Sequence, residues 1–488
     1  MAHFLRADAP AWAAAVAVRC APLAALAPPV AAESPRASQQ APWHVLQAAA
    51  LPDDALDDVL AAMPHTVDEL LTAAPPSMHA ALRRAAATRA GSLSLPADRF
   101  GRGALDRLPA GLQRLQVQPA AGAESPRMLG ITVALHLAHL PNLRALSLAG
   151  SRLGGGTIAA VAGQLHKLPA LTELDLSGVA CHSERSELGA VRLTAAALAP
   201  ALPHLPALHC LDLSDNGLCY GALAAVLQPL AGHTALRALR VARNVLDPPA
   251  AGKKAVAAPL ALPAGLSSLD LSGTLALPET WAAVRRPGLV QAVLAELAAA
   301  TALQQLSFAE NALEAQLMRT LAQLTALRAL DVGGCYGGGR RGSDGAAVVP
   351  ALPALTSLRA APQCIDHAAR FPALRELRLT ADKDSKPLPT MYPFVASLGP
   401  QLRRLQLDGV TLVPPFSRAE GPAMLAAALS VLTRLTELDA SSCWLPPRLV
   451  YAAGKWGPVY AGAESSPLPA ALARLTGLQV RSTKRTLP

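Results

Sequence analysis

Asparagine is almost missing from this chain: four occur in 488 residues. Aromatic residues make up 3%, too few for a row of rings on which bases of a single strand could stack. The seven cysteines (Cys20, Cys181, Cys210, Cys219, Cys335, Cys364, Cys443) are odd in number and far apart. Without a Cys-x-x-Cys pair they outline neither a disulfide framework nor a zinc site, and a reducing, intracellular compartment is expected. No asparagine sits in an Asn-x-Ser/Thr sequon, so N-linked glycosylation is excluded. Mean hydropathy is +0.29, but alanine supplies it, and no apolar run reaches the ~18 residues of a membrane span.

The net charge of +9 comes mostly from arginine. Those arginines are scattered along the chain, so the expectation is of no nucleic-acid partner. Residues 9–32 are rich in alanine and proline and contain no acid. They read as part of a low-complexity arm over residues 1–48, with organelle import by residues 1–40 as the alternative.

Three of the four asparagines fall at one point of a recurring phrase, Leu-x-x-Leu-x-Leu-x-x-Asn-x-Leu. It runs Leu208, Leu211, Leu213, Asn216, Leu218, and returns around Asn244 and Asn311. Its first leucine recurs at Leu112, Leu143, Leu171, Leu208, Leu236, Leu266, Leu303, Leu327, Leu355, Leu374, Leu402, Leu435 and Leu475, with a spacing of 28 the most frequent. Two leucines two residues apart lie on one face of a short strand. Ala/Leu-rich segments such as Leu193 to Leu202 and Leu289 to Ala300 have helical character. No unit of this kind buries its leucines alone, so the units must stack. The expected fold is an α/β solenoid, with parallel strands on the concave face and helices on the convex face, filling residues 91–488 with about thirteen repeats.

The position eight residues after each start holds Ser151, Asn216, Asn244, Thr274, Asn311, Cys335, Cys443 and Thr483 in eight units. These side chains hydrogen-bond backbone groups left open where a strand turns away. Asn216, Asn244, Asn311, Cys335 and Cys443 are therefore assigned to architecture, as a ladder. The unit from Leu355 is only 19 residues long, and Leu374 to Asp384 lacks the ladder residue. A break or flattening of the solenoid is expected there.

The phrase resembles the leucine-rich-repeat family, and its 28-residue units are most similar to the ribonuclease-inhibitor type. Upstream, Leu51-Pro52-Asp53-Asp54-Ala55-Leu56-Asp57-Asp58-Val59-Leu60-Ala61-Ala62-Met63-Pro64 has the proline and acids of a helix start and one apolar stripe. Leu51, Pro52, Leu56, Val59, Leu60 and Met63 resemble the first half of an F-box. That resemblance implies a Skp-type adaptor of cullin ubiquitin ligases as a partner. Pro75-Pro76 interrupts the second half, and its usual Cys and Trp are absent. The plainer reading of residues 49–90 is a helical cap over the open end of the core.

Gly337-Gly338-Gly339-Arg340-Arg341-Gly342 fits a dinucleotide fingerprint in letters, but Ser343-Asp344-Gly345 follows where a helix should begin. No phosphate loop, metal pair or nucleophile elbow is present, so neither catalysis nor a cofactor is expected. Function is expected on the strand face. Its central row contains Asp175, Asp212, Arg240, Asp270, Asp331, Arg359 and Arg378, with Gln479 in the last unit. Acids dominate the first part and arginines the later part, which fits a protein partner of two opposed charges. Trp444, Tyr451, Trp456 and Tyr460 cluster near the C-terminus as a contact patch or a cover for the end of the core. The resulting expectation is a cytoplasmic interaction scaffold, coupled to a ubiquitin ligase or else acting in the cytoskeleton, the axoneme or signalling.

Overall fold

The computed structural model describes residues 91–96, 111–118, 127–152, 155–179, 187–244, 260–274, 287–313, 315–337, 349–361, 364–365, 371–380, 398, 401–408, 427, 429–439, 449–452, 455–458 and 479–481. The arm over 1–48 and the helical segment over 49–90 lie outside them, as does Cys443.

Fourteen strands form one open sheet in which every pairing is parallel. Their order follows the chain: β1 (Ser92–Pro96), β2 (Arg114–Gln118), β3 (Ala145–Ser147), β4 (Glu173–Asp175), β5 (Cys210–Asp212), β6 (Ala238–Arg240), β7 (Ser268–Asp270) and β8 (Gln305–Ser307). Next come β10 (Ala329–Val332), β12 (Ser357–Ala360), β13 (Glu376–Thr380), β14 (Arg404–Asp408), β15 (Glu437–Asp439) and β18 (Gln479–Arg481). Helices fill many of the crossovers: α1 (Arg127–Leu137), α2 (Gly155–Leu165), α3 (Glu187–Ala201), α4 (Tyr220–Leu227), α5 (Pro287–Ala299) and α6 (Ala315–Leu321). Neighbouring helices α1 to α4 pack in sequence, like the strands. The arrangement is an α/β solenoid.

Leucine spacing dictates the strand register. Leu146, Leu174, Leu211, Leu239, Leu269, Leu306, Leu330, Leu358, Leu377, Leu405 and Leu438 stand side by side across the sheet and are all buried. With the inward residues of the helices they form one continuous core. A one-residue slip would turn every such leucine to solvent, so the register is strongly specified. Between helix and strand runs a tight lead-in, as in Leu205-Pro206-Ala207-Leu208, where the Leu208 N–H donates to the Leu205 carbonyl at 3.1 Å. Proline there denies the helix a further donor and fixes the turn.

In the units from Leu143 to Leu327 the backbone becomes left-handed where the strand leaves the sheet, seven residues after the first leucine. Gly150, Gly178, Gly273 and Gly334 occupy that point in four units, at φ between 60° and 67°. Asp215, Arg243 and Glu310 adopt the same conformation at φ 54° to 60°, a strained state for residues with a Cβ. The ladder position comes next. The Asn216 Oδ1 accepts from the Val179 N–H at 2.9 Å, and its Nδ2 donates to the Leu176 and Leu213 carbonyls at 2.7 and 3.0 Å. Asn244 repeats this one unit later, accepting from Asn216 and Leu218 N–H groups and donating to the Leu213 and Val241 carbonyls. Asn311 donates to the Leu271 and Phe308 carbonyls at 2.8 and 3.0 Å, and the Cys335 thiol donates to the Phe308 carbonyl at 3.2 Å. Ser151 and Thr274 bond the carbonyl three residues back, closing their own turn.

The structure departs from the sequence reading in four places. β1 adds a strand before the unit at Leu112; Ser92-Leu-Ser-Leu-Pro lacks the leading leucine that marks the others. The sheet does not break at Leu374: β13 pairs β12 and β14 in full register. At the far edge, Asp439 pairs with Arg481 and Glu437 with Gln479, two residues away from the expected alignment. A slip of two leaves each side chain on its original face. Two small sheets were also not foreseen: β9 (Ala312–Leu313) beside β11 (Tyr336–Gly337), and the hairpin of β16 (Leu449–Ala452) and β17 (Lys455–Pro458). That hairpin places Tyr451 opposite Trp456 in register; Trp444 and Tyr460 lie outside the described residues.

Candidate functional site

Residues that alternate with the buried leucines line the open face of the sheet. Its central row reads Ser147, Asp175, Asp212, Arg240, Asp270, Ser307, Asp331, Arg359, Arg378, Gln406 and Asp439. All seven charged residues picked from sequence for a partner surface therefore stand in one row. A parallel row toward the strand starts holds Arg114, Glu173, Cys210, Ser268, Gln305, Ser357, Glu376, Arg404 and Glu437. At about 4.8 Å per strand, fourteen strands give a face on the order of 60 Å long. A trough of about 670 Å³ runs along it from Arg240 to Glu437, with Ser268, Ser307 and Ser357 among its lining residues.

The charges of this face pair across strands. Arg240 lies 3.7 Å from Asp212, Arg359 lies 3.3 Å from Asp331, and Nε and Nη2 of Arg378 both reach Asp408 at 2.6 Å. Arg404 sits between Glu376 at 2.8 Å and Glu437 at 3.2 Å, and Arg114 lies 3.6 Å from Glu173. The separation into an acidic and a basic half, visible along the sequence, thus dissolves in space. The arginines of the later strands are already matched by carboxylates on neighbouring strands. Among the described strand residues of this sheet nine carboxylates stand against six arginines. The face is net acidic although the chain carries +9.

The acid excess gathers on β4 to β7. Asp175 and Asp212 are register partners, and burial, with Asp175 adding to it, raises the Asp212 carboxyl above its ordinary value. Each of these aspartates also has a structural task. Asp175, Asp212, Asp270 and Asp331 accept from the backbone N–H two residues on, at 2.9 to 3.0 Å. They hold the turn that follows each strand. The recurring Asp-Leu-Ser at Asp175, Asp212 and Asp270 carried this signal in the sequence.

The remaining reactive groups belong to the frame. Burial pushes the Cys335 thiol up to about 12 and the Cys364 thiol to about 11, so both stay protonated and are poor nucleophiles. His233 bridges two units: Nδ1 accepts from the Leu236 N–H at 3.1 Å and Nε2 lies 2.9 Å from the Leu205 carbonyl. Among the described residues no cluster of His, Cys, Asp or Glu is placed to hold a metal ion. No helix among them is long and apolar enough to cross a membrane. Gly338 to Gly342 and the adaptor-like residues Leu51, Pro52, Leu56, Val59, Leu60 and Met63 lie outside the described residues. No protein-family model matches the chain, and no curated protein matches it either.

Proposed function

We propose that this chain is a leucine-rich-repeat scaffold whose open sheet face receives a protein partner. The observation that carries the reading is the face itself: a continuous polar surface on the order of 60 Å long. Its side chains are held in rows by the buried leucines behind them. A trough this long and open suits a protein surface better than a small molecule, which would need an enclosed pocket. Because the acid excess sits on β4 to β7, the partner presents positive charge there and hydrogen-bonding groups over Ser268, Ser307 and Ser357. The preformed ion pairs further along contribute register and selectivity more than attraction.

The test removes charge without removing the turn caps. Asn in place of Asp175, Asp212 and Asp270 still accepts from the backbone N–H two residues on. Affinity purification with the wild type and this triple variant, compared by quantitative mass spectrometry, should show a partner depleted at least tenfold with the variant. An unchanged set of bound proteins would sink the assignment to this face.

Coupling to a ubiquitin ligase through Leu51 to Pro64 is a separable addition supported by the F-box resemblance alone. Leu56→Asp with Leu60→Asp should abolish co-purification of a Skp-type adaptor while leaving the open-face partner bound.

A further inference from the structure

The arginines scattered along the sequence are not scattered in space. Arg144, Arg237, Arg328, Arg375 and Arg403 each occupy the residue immediately before a strand, and so share one register along the rim where the strands begin. Lys167 and Arg434 join them from the lead-ins of β4 and β15. All seven are exposed. The lead-in stretches 138–144, 166–172, 202–209, 228–237, 260–267, 300–304, 322–328, 349–356, 371–375, 401–403 and 431–436 contain no acidic residue. From β3 to β15 this basic rim extends about 48 Å at ~4.8 Å per strand.

A second contrast separates the rim from the open face. The face arginines Arg114, Arg240, Arg359, Arg378 and Arg404 each have a carboxylate within 4 Å. Among the described residues Arg144, Lys167, Arg328, Arg375, Arg403 and Arg434 have no ion pair or side-chain hydrogen bond. Arg237 leans only on backbone carbonyls. Most of the positive charge left unmatched among the described residues is thus gathered on the rim, with Arg152, Arg243 and Arg319 lying elsewhere. Its backbone is fixed: hydroxyls of Thr172, Ser267, Thr356 and Thr436 donate to the carbonyls of Arg144, Arg237, Arg328 and Arg403 at 2.9 to 3.1 Å.

We propose that this rim binds the phosphate backbone of a double-stranded nucleic acid without reading its sequence, on a surface separate from the open face. A cation row that stays free of acid over about 48 Å suits a long, regular polyanion; a short acidic peptide would need only a local cluster. Guanidinium forks, six of the seven cations, match phosphate oxygens two at a time. No tryptophan or tyrosine stands in these stretches, so base stacking on a single strand has no platform. The net-acidic open face repels the same polyanion and leaves the rim as its landing surface.

The test is duplex binding by the full chain, followed by fluorescence anisotropy between 50 and 200 mM salt on two unrelated 24-base-pair duplexes. Neutralising about six phosphates predicts an affinity loss of about a thousandfold across that range, alike for both sequences. Arg328→Gln with Arg375→Gln and Arg403→Gln should bind more weakly and lose only about fortyfold across it. Arg152→Gln with Arg319→Gln, exposed cations that lie off the rim, should behave as wild type. No salt-dependent duplex binding, or a rim variant that binds as wild type, overturns the proposal. Tight binding of poly-glutamate without binding of duplex would do so too, by assigning the rim to an acidic protein.

Discussion

Asn216 shows what one side chain does for this fold. Fully buried, its amide closes its own turn at Leu213 and ties it to Leu176 and Val179 of the preceding unit. Asn216→Ala orphans a buried N–H and a carbonyl, and should cost about 2–4 kcal/mol in chemical denaturation. The left-handed position beside it gives predictions of opposite sign. Gly273 has room for a methyl group, its nearest neighbour standing 3.5 Å from an added Cβ, so the conformation alone opposes Gly273→Ala, by about 1–2 kcal/mol. Arg243→Gly relieves the same strain and should raise the melting temperature. Asp212 adds a pH dependence. Its carboxyl is raised in the folded state, chiefly by burial, so ionisation opposes folding, and stability from this group falls as pH rises through the folded value. Asp212→Asn keeps the cap on Ser214 and should gain thermal stability relative to wild type between pH 3 and pH 7. These residues differ in how readable they were. The three asparagines were legible because the residue is so rare; the strained Arg243 and Glu310 were not, since only the backbone reveals a left-handed angle.

Strands and helices were read with unequal success for a physical reason. A buried strand needs two leucines at fixed spacing, and that spacing repeats almost unchanged from Leu143 to Leu438. β1 escaped because its leucines stand between serines with no lead-in, and β9 and β11 because two-residue bridges carry no periodicity. The expected break at Leu374 rested on a missing ladder residue. Strand pairing does not require that residue, so β12, β13 and β14 continue the sheet. Their units carry Gln363, Asp382 and Val410, not asparagine, at the ladder position, whereas cross-unit amide bonds run from β4 to β8. Native-state hydrogen exchange should therefore show greater protection for the Leu211 and Leu239 amides than for Leu377 and Leu405. Equal protection would show that the leucine core alone sets local stability.

At the scale of the whole molecule, charge sorting is what folding adds to the sequence. Residues one unit apart are neighbours across the sheet, so acids and arginines that look segregated along the chain become ion pairs on the open face. Cations that look scattered become a rim. Neither pattern can be seen until the register is known, which is why the row of site residues was legible and its electrostatics were not. Such exposed pairs add about 0–1 kcal/mol each to stability, so under the proposed function their main effect is on which partner the face accepts. The central claim is that a protein partner lies on that face, and site-specific photo-crosslinking tests it most directly. A benzophenone side chain is placed at Gln305 on the open face, and in a second preparation at Ala295 on α5. Both are exposed and lie on successive elements of the chain. Irradiation with the partner recovered by affinity purification should give an adduct from position 305 and none from 295. An adduct from 295 alone would place the partner on the helices and contradict the account.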